Sequence, residues 1–171
     1  MSNSNEFNKE AGATKKLPSG FLSNPAHFAA FGFGSGCAPK APGTAGTAVA
    51  VLLYLPLQFL PLYAYLLMLL VTFILGVWLC DKASKSLGVH DHGGIVWDEF
   101  VGYWVTMILA PPGWGWIILG FILFRIFDIW KPQPIRYFDR HVHGGLGIMI
   151  DDVWAGVYAL IVLQGIHFFI A

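Results

Sequence analysis

Two short stretches of this 171-residue chain concentrate the side chains that could do chemistry. VHDHGGIVWDEF (89–100) holds His90, Asp91, His92, Asp98 and Glu99. RIFDIWKPQPIRYFDRHVHGGLGIMIDD (125–152) holds Arg125, Asp128, Lys131, Arg136, Asp139, Arg140, His141, His143, Asp151 and Asp152. Asp98, Glu99, Asp128, Asp151 and Asp152 lie at the ends of apolar segments. Carboxylates gathered in a poor dielectric repel one another unless something positive sits among them. An all-oxygen ligand set suits Mg²⁺ or Mn²⁺ better than zinc. Carboxylates, such a cation and Arg or Lys are the parts needed for metal-assisted attack of water on a phosphoryl group.

Arg125, Asp128 and Lys131 follow at i, i+3 and i+6 and share one helix face. That spacing sets Arg125 or Lys131 beside Asp128 for a phosphate oxygen, and it equally builds an intrahelical salt bridge. Arg136 and Arg140 come next, in a loop, where they suit phosphate or anionic headgroups. The His90/His92 and His141/His143 pairs have a spacing that shares a metal better from a strand than from a helix. Proton transfer, or holding carboxylates in place, is their expected use. His27 and His167 read as structural or interfacial.

A third stretch, GFGSGCAPKAPGTAG (32–46), alternates glycine with proline. A helix is expected to start after it, at Thr44 or Thr47. Gly43 and Thr44 would then offer backbone N–H groups to an anion. The bland alternative is a flexible turn, and with no GK[ST] it is not a P-loop. No GxSxG elbow and no DxDx[TV] or CxxxxxR nucleophile motif occurs. Cys37 and Cys80 fit neither a CxxC motif nor a metal spacing and read as small packing residues.

The elements that must position these groups are apolar. The chain is 56% hydrophobic and 12% charged, against about 25% charged in soluble domains, with mean hydropathy +0.63. Its net charge of zero gives nucleic acid no hold. Every Lys, Arg, Asp and Glu falls within 1–40, 81–99 or 125–152. A charge at the bilayer centre costs about 2.5–3.5 kcal/mol, so the uncharged 41–80, 100–124 and 153–171 are the membrane candidates. Residues 41–80 would make about 60 Å of helix, twice a ~30 Å hydrocarbon core. Pro56 and Pro61 divide them into spans at 44–59 and 62–81. Further segments are expected at 95–110, 113–130 and 150–171.

Residues 1–20 read as a disordered polar tail and 21–171 as a single all-α, polytopic membrane domain of about five helical segments, four to five of them spans. Lys and Arg occupy every second connection, which predicts a cytoplasmic N-terminus and a polar site on the cytoplasmic face. Gly102 and Gly156 each follow an acid by four residues and predict close helix packing there.

Three runs carry a family resemblance: GFGSGCAPKAPGTAGT (32–47), GVHDHGGIVWDEFVGYW (88–104) and FRIFDIWKPQPIRYFDRHVHGGLGIMIDDVWAG (124–156). In these the chain closely resembles the phosphatidylglycerophosphatase A family of bacterial inner-membrane lipid phosphatases. The resemblance implies Mg²⁺-dependent hydrolysis of phosphatidylglycerophosphate to phosphatidylglycerol and phosphate, by a multi-pass protein of the inner membrane. On that reading Asp98, Glu99, Asp128, Asp151 and Asp152 hold metal and carry catalysis. Arg125, Lys131, Arg140, Gly43 and Thr44 bind the substrate. Two rival classes use the same acids: a cation transporter and a non-catalytic lipid-binding protein. Charge confined to one end of the apolar segments argues against an ion path.

Overall fold

The computed structural model describes residues 17–89, 92–133 and 135–170, with backbone only for 138–140. The expected tail lies almost wholly outside these residues, as do His90 and the Arg140 side chain. Regular structure among the described residues is helical throughout: α1 (Pro25–Ala30), α2 (Pro42–Leu57), α3 (Leu62–Leu87), α4 (Trp97–Thr106), α5 (Trp114–Trp130), α6 (Ile135–His141) and α7 (Gly144–Ile170). Short 3₁₀ turns at Phe21–Ser23 and Gly32–Cys37 flank α1.

Local chemistry sets most of the boundaries. Asn24 accepts a hydrogen bond from the Ala26 N–H at 3.0 Å and caps α1, with Pro25 at its first position. Pro42 opens α2 in the same way, two residues before the expected Thr44. Pro61 is extended and starts α3. The expected break between two apolar helices at Pro56–Pro61 is therefore present, but α3 continues to Leu87, six residues past 81. There Gly88 closes it in the left-handed conformation at φ 66°.

α4 is shorter than the expected segment at 95–110. It has ten residues, about 15 Å of rise, against a hydrocarbon core of ~30 Å. All but Val105 are buried. Its exit is fixed by Gln164, whose side-chain amide donates to the Ile108 and Leu109 carbonyls, both at 2.9 Å. α7 begins at Gly144, six residues before the expected 150. α3 and α7 are the two described helices long and apolar enough to cross a bilayer.

α7 is the central post, packed by α3, α4, α5 and α6. Glycine permits the two closest crossings. At Gly156 a Cβ would run into the Gly102 carbonyl, and at Gly102 it would lie 2.7 Å from the Asp152 carbonyl. The packing expected at Gly102 and Gly156 is thus present, between α4 and α7. At Gly145 a Cβ would strike the Val77 carbonyl of α3. Away from the polar end, Tyr65 Oη donates to the Trp104 carbonyl at 2.7 Å and Trp104 Nε1 to the Ala50 carbonyl at 3.0 Å, tying α2, α3 and α4. Outward faces stay apolar: Leu67, Leu70, Val71 and Ile74 of α3 and Ile161 of α7 are exposed. Cys80 packs as expected, 3.9 Å from the Met149 sulfur. Cys37 does not, because it lies on the surface.

Overpacking a close crossing costs about 1–3 kcal/mol or more. Gly156→Leu should lower the thermal unfolding midpoint in detergent clearly. Gly165→Ala, whose added Cβ meets nothing within 4 Å, should not. Equal midpoints for the two variants would show that the α4–α7 contact is not close.

Candidate functional site

The α4–α7 crossing brings the acids together. Asp98 and Glu99 sit in the first turn of α4, where the helix dipole favours negative charge. Asp152 comes from α7, in its third turn. One carboxylate oxygen from each of Asp98, Glu99 and Asp152 lies within 4.8 Å of the other two, and all three residues are buried. Because α7 starts at Gly144, Asp151 and Asp152 lie too far inside it to cap its end, which removes the simplest structural explanation for them.

Asp128 of α5 adds a fourth carboxylate, with its side chain against that of Asp152. Arg125, one turn earlier, is the cation paired to the cluster. Its Nη1 is 2.6 Å from Asp128 Oδ2 and 3.8 Å from Glu99 Oε1. The expected i, i+3 ion pair is present, and it faces the acids of other helices as well.

Two expected members are placed elsewhere. α5 stops at Trp130, and Lys131 turns left-handed at φ 45°, so Lys131 leaves the face of Arg125 and Asp128. Its Nζ reaches Asp151 Oδ2 at 2.6 Å. The signal was available, since Pro132 disfavours helical backbone in the residue before it. Asp151 and Asp152 are separated by the 100° step of a helix, so one faces Lys131 while the other joins Asp98 and Glu99.

The glycine loop does reach the site. A Cβ on Gly43 would run into Glu99 Oε1 and lie 3.1 and 3.2 Å from the Arg125 Nη atoms. The first turn of α2 therefore abuts both side chains, with the Gly43 and Thr44 N–H groups in the part of a helix that lacks intrahelical acceptors. Gly36 and Gly94 pack the preceding loop onto the segment entering α4, and the Val96 N–H donates to the Ala30 carbonyl at 2.9 Å.

His92, His141 and His143 pair with local backbone. His92 Nδ1 accepts from the Gly94 N–H at 3.0 Å. His141 Nδ1 is 2.8 Å from the Tyr137 carbonyl and His143 Nδ1 is 3.3 Å from that of His141, both exposed. His27 stacks on Phe21 at 4.1 Å and is structural, as expected.

The donor set fits a hard divalent cation. Glu99 Oε2 and Asp152 Oδ2 are buried and receive no hydrogen bond among the described residues. Pairs of carboxylates at this separation repel by about 3–4 kcal/mol even at an effective dielectric of ~20. The 4.8 Å spread is near the about 4.2 Å that separates opposite ligands of an octahedral Mg²⁺ site. Mg²⁺ or Mn²⁺ should therefore raise the unfolding midpoint, by about 2.7 kcal/mol of added stability at a hundred times Kd. Glu99→Gln and Asp152→Asn should lose that response. A full metal-induced shift in both variants would remove them as ligands.

The family model for phosphatidylglycerophosphatase A matches residues 28–167. A protein of that name from Escherichia coli is 51% identical over 150 residues, covering 87% of this chain and 85% of the relative. One from Haemophilus influenzae is 49% identical over 152 residues, covering 86% and 91%. A Bacteroides thetaiotaomicron protein provisionally named a phosphatidylinositol-3-phosphatase is 43% identical over 141 residues, covering 77% and 87%. No solved structure matches. With a family match across nearly all the described helices and relatives at half identity, the chain belongs to the phosphatidylglycerophosphatase A family.

Proposed function

We propose that this protein is a Mg²⁺-dependent phosphatidylglycerophosphatase, hydrolysing the terminal phosphomonoester of phosphatidylglycerophosphate to leave phosphatidylglycerol. The observation that carries the proposal is the buried Asp98–Glu99–Asp152 set in contact with Arg125 and the first turn of α2. It joins acids that suit a cation to donors that suit a phosphate. The names of two relatives supply the lipid.

Asp98, Glu99 and Asp152 would hold Mg²⁺, which when bound supplies charge neutralisation and polarisation at the phosphoryl oxygens. Arg125 Nε is buried without a hydrogen-bond acceptor among the described residues. It donates to the phosphoryl group together with the Gly43 and Thr44 N–H groups, and these fixed donors need no reorganisation as charge spreads over the equatorial oxygens. Asp128 takes the proton of the attacking water. That water's oxygen bonds to phosphorus as the bond to the glycerol oxygen breaks, and the proton held on Asp128 passes to the departing glycerol oxygen. Lys131 holds Asp151 and locks the end of α5 to α7, with Arg140 left as a candidate for the headgroup.

The membrane setting fits the same geometry. Lys40 precedes α2, Lys82 and Lys85 lie in the last two turns of α3, Lys131 follows α5 and Arg136 lies in α6, whereas 58–61 and 107–113 carry no charge. That asymmetry supports a multi-pass protein of the bacterial inner membrane with its site cytoplasmic. A headgroup phosphate would then meet the acids at interface depth.

Purified protein should release phosphate from phosphatidylglycerophosphate in mixed micelles, and chelation of Mg²⁺ should stop it. Asp98→Asn, Asp128→Asn and Asp152→Asn should each cut kcat by about a hundredfold or more, the scale of lost acid–base or charge stabilisation. Asp128→Asn should keep the metal-induced rise in unfolding midpoint. Near-normal release from these folded variants would sink the assignment. Loss of the metal response in Asp128→Asn would move that residue among the ligands.

A further inference from the structure

An apolar groove of about 200 Å³ opens between α2 and α5, lined by Ala48, Val51, Trp114, Ile117, Ile118 and Phe121. α2 packs chiefly on α4 and only sparsely on α5, so the seam between α2 and α5 stays open to the outside. Ala48, Trp114 and Ile118 form its exposed rim, and Ile117 is buried at its base. These are the same two helices that bring Gly43 and Arg125 to the acids. Along α2, Ala48 and Val51 lie five and eight residues beyond Gly43. Along the antiparallel α5, Phe121 and Ile117 lie four and eight residues before Arg125. At 1.5 Å per residue the groove starts about 6–8 Å from the proposed phosphate donors and continues away from them.

We propose that this groove is the acyl-chain subsite of the enzyme, which seats the first part of one fatty-acyl chain of the substrate. The inference rests on the phosphatase reading above. A phosphoryl group held between Gly43 and Arg125 leaves its diacylglycerol end to run toward the bilayer core, and the α2–α5 seam is the apolar path that begins at that point. A chain in the bilayer is already in apolar surroundings, so transfer into the groove adds little hydrophobic free energy. What the groove contributes is orientation: it fixes the direction from which the phosphomonoester enters, and misplacement of reacting atoms by about 1 Å can cost a hundredfold.

The probe is a diacylglycerol phosphomonoester carrying a photoactivatable diazirine near the ester end of one acyl chain. Irradiation in mixed micelles should label residues of the α2–α5 groove, and an excess of unlabelled phosphatidylglycerophosphate should suppress the labelling. Ala48→Trp should fill the groove, abolish the label and lower kcat/KM for long-chain substrate by about 10- to 100-fold. Leu53→Trp, exposed on a side of the same helix turned about 140° away from Ala48, should change neither. Labelling confined to the outer face of α3, or an Ala48→Trp variant with unchanged kcat/KM, would overturn the subsite. Competed labelling of the groove without phosphate release by the wild type would keep the subsite and overturn the phosphatase reading instead.

Discussion

Contact between α4 and α7 through Gly102 and Gly156 holds the carboxylates at a separation they would not choose. Either glycine with a side chain would force the helices apart, because a Cβ at each meets backbone of the other helix. Asp98 and Glu99 lie within a turn of Gly102 and Asp152 within a turn of Gly156. The crossing therefore fixes how close the acids come. Packing of apolar surface supplies the force, and the electrostatic cost of the cluster is carried by the fold until a cation offsets it. The same contact explains why α4 can be so short. It is buried on nearly every side and needs no lipid-facing length of its own.

Around that crossing the ion pairs sort the acids into two groups. Arg125 spans Asp128 and Glu99, which draws α5 against α4 and leaves part of its guanidinium without an acceptor. Lys131 holds Asp151 and so ties the end of α5 to α7. Three helix N-termini, those of α2, α4 and α7, face this end of the bundle, and their dipoles favour negative charge there.

Much of this was readable from the chain. Confinement of every charge to three stretches marked the apolar helices, and Pro56 with Pro61 marked their first break. The alternation of basic connections predicted that all the acids lie on one side. Gly43 could be named because glycine beside a helix start is a recognisable anion motif. Helix lengths were less legible. Residues 144–149, GGLGIM, look like loop by composition, yet they are helical because Gly145 and Gly147 let α7 press against α3 and against the Val142 carbonyl. Conversely 107–110 look helical and are not, because Gln164 from α7 captures their carbonyls.

The sequence alone determined the inventory: five acids, a short set of cations, a glycine loop, and apolar segments that confine them to one end. These follow from the cost of charge in an apolar medium, which acts on every residue without reference to its neighbours. Only the tertiary structure decided the partition. Asp152 joins Asp98 and Glu99, while its neighbour Asp151 turns to Lys131, and Lys131 leaves the helix face that it shares with Asp128 on paper. Such choices depend on the rotation of α7 against α4 and on where α5 stops. Both are set by side-chain packing between segments far apart in the chain, and no local pattern carries that information.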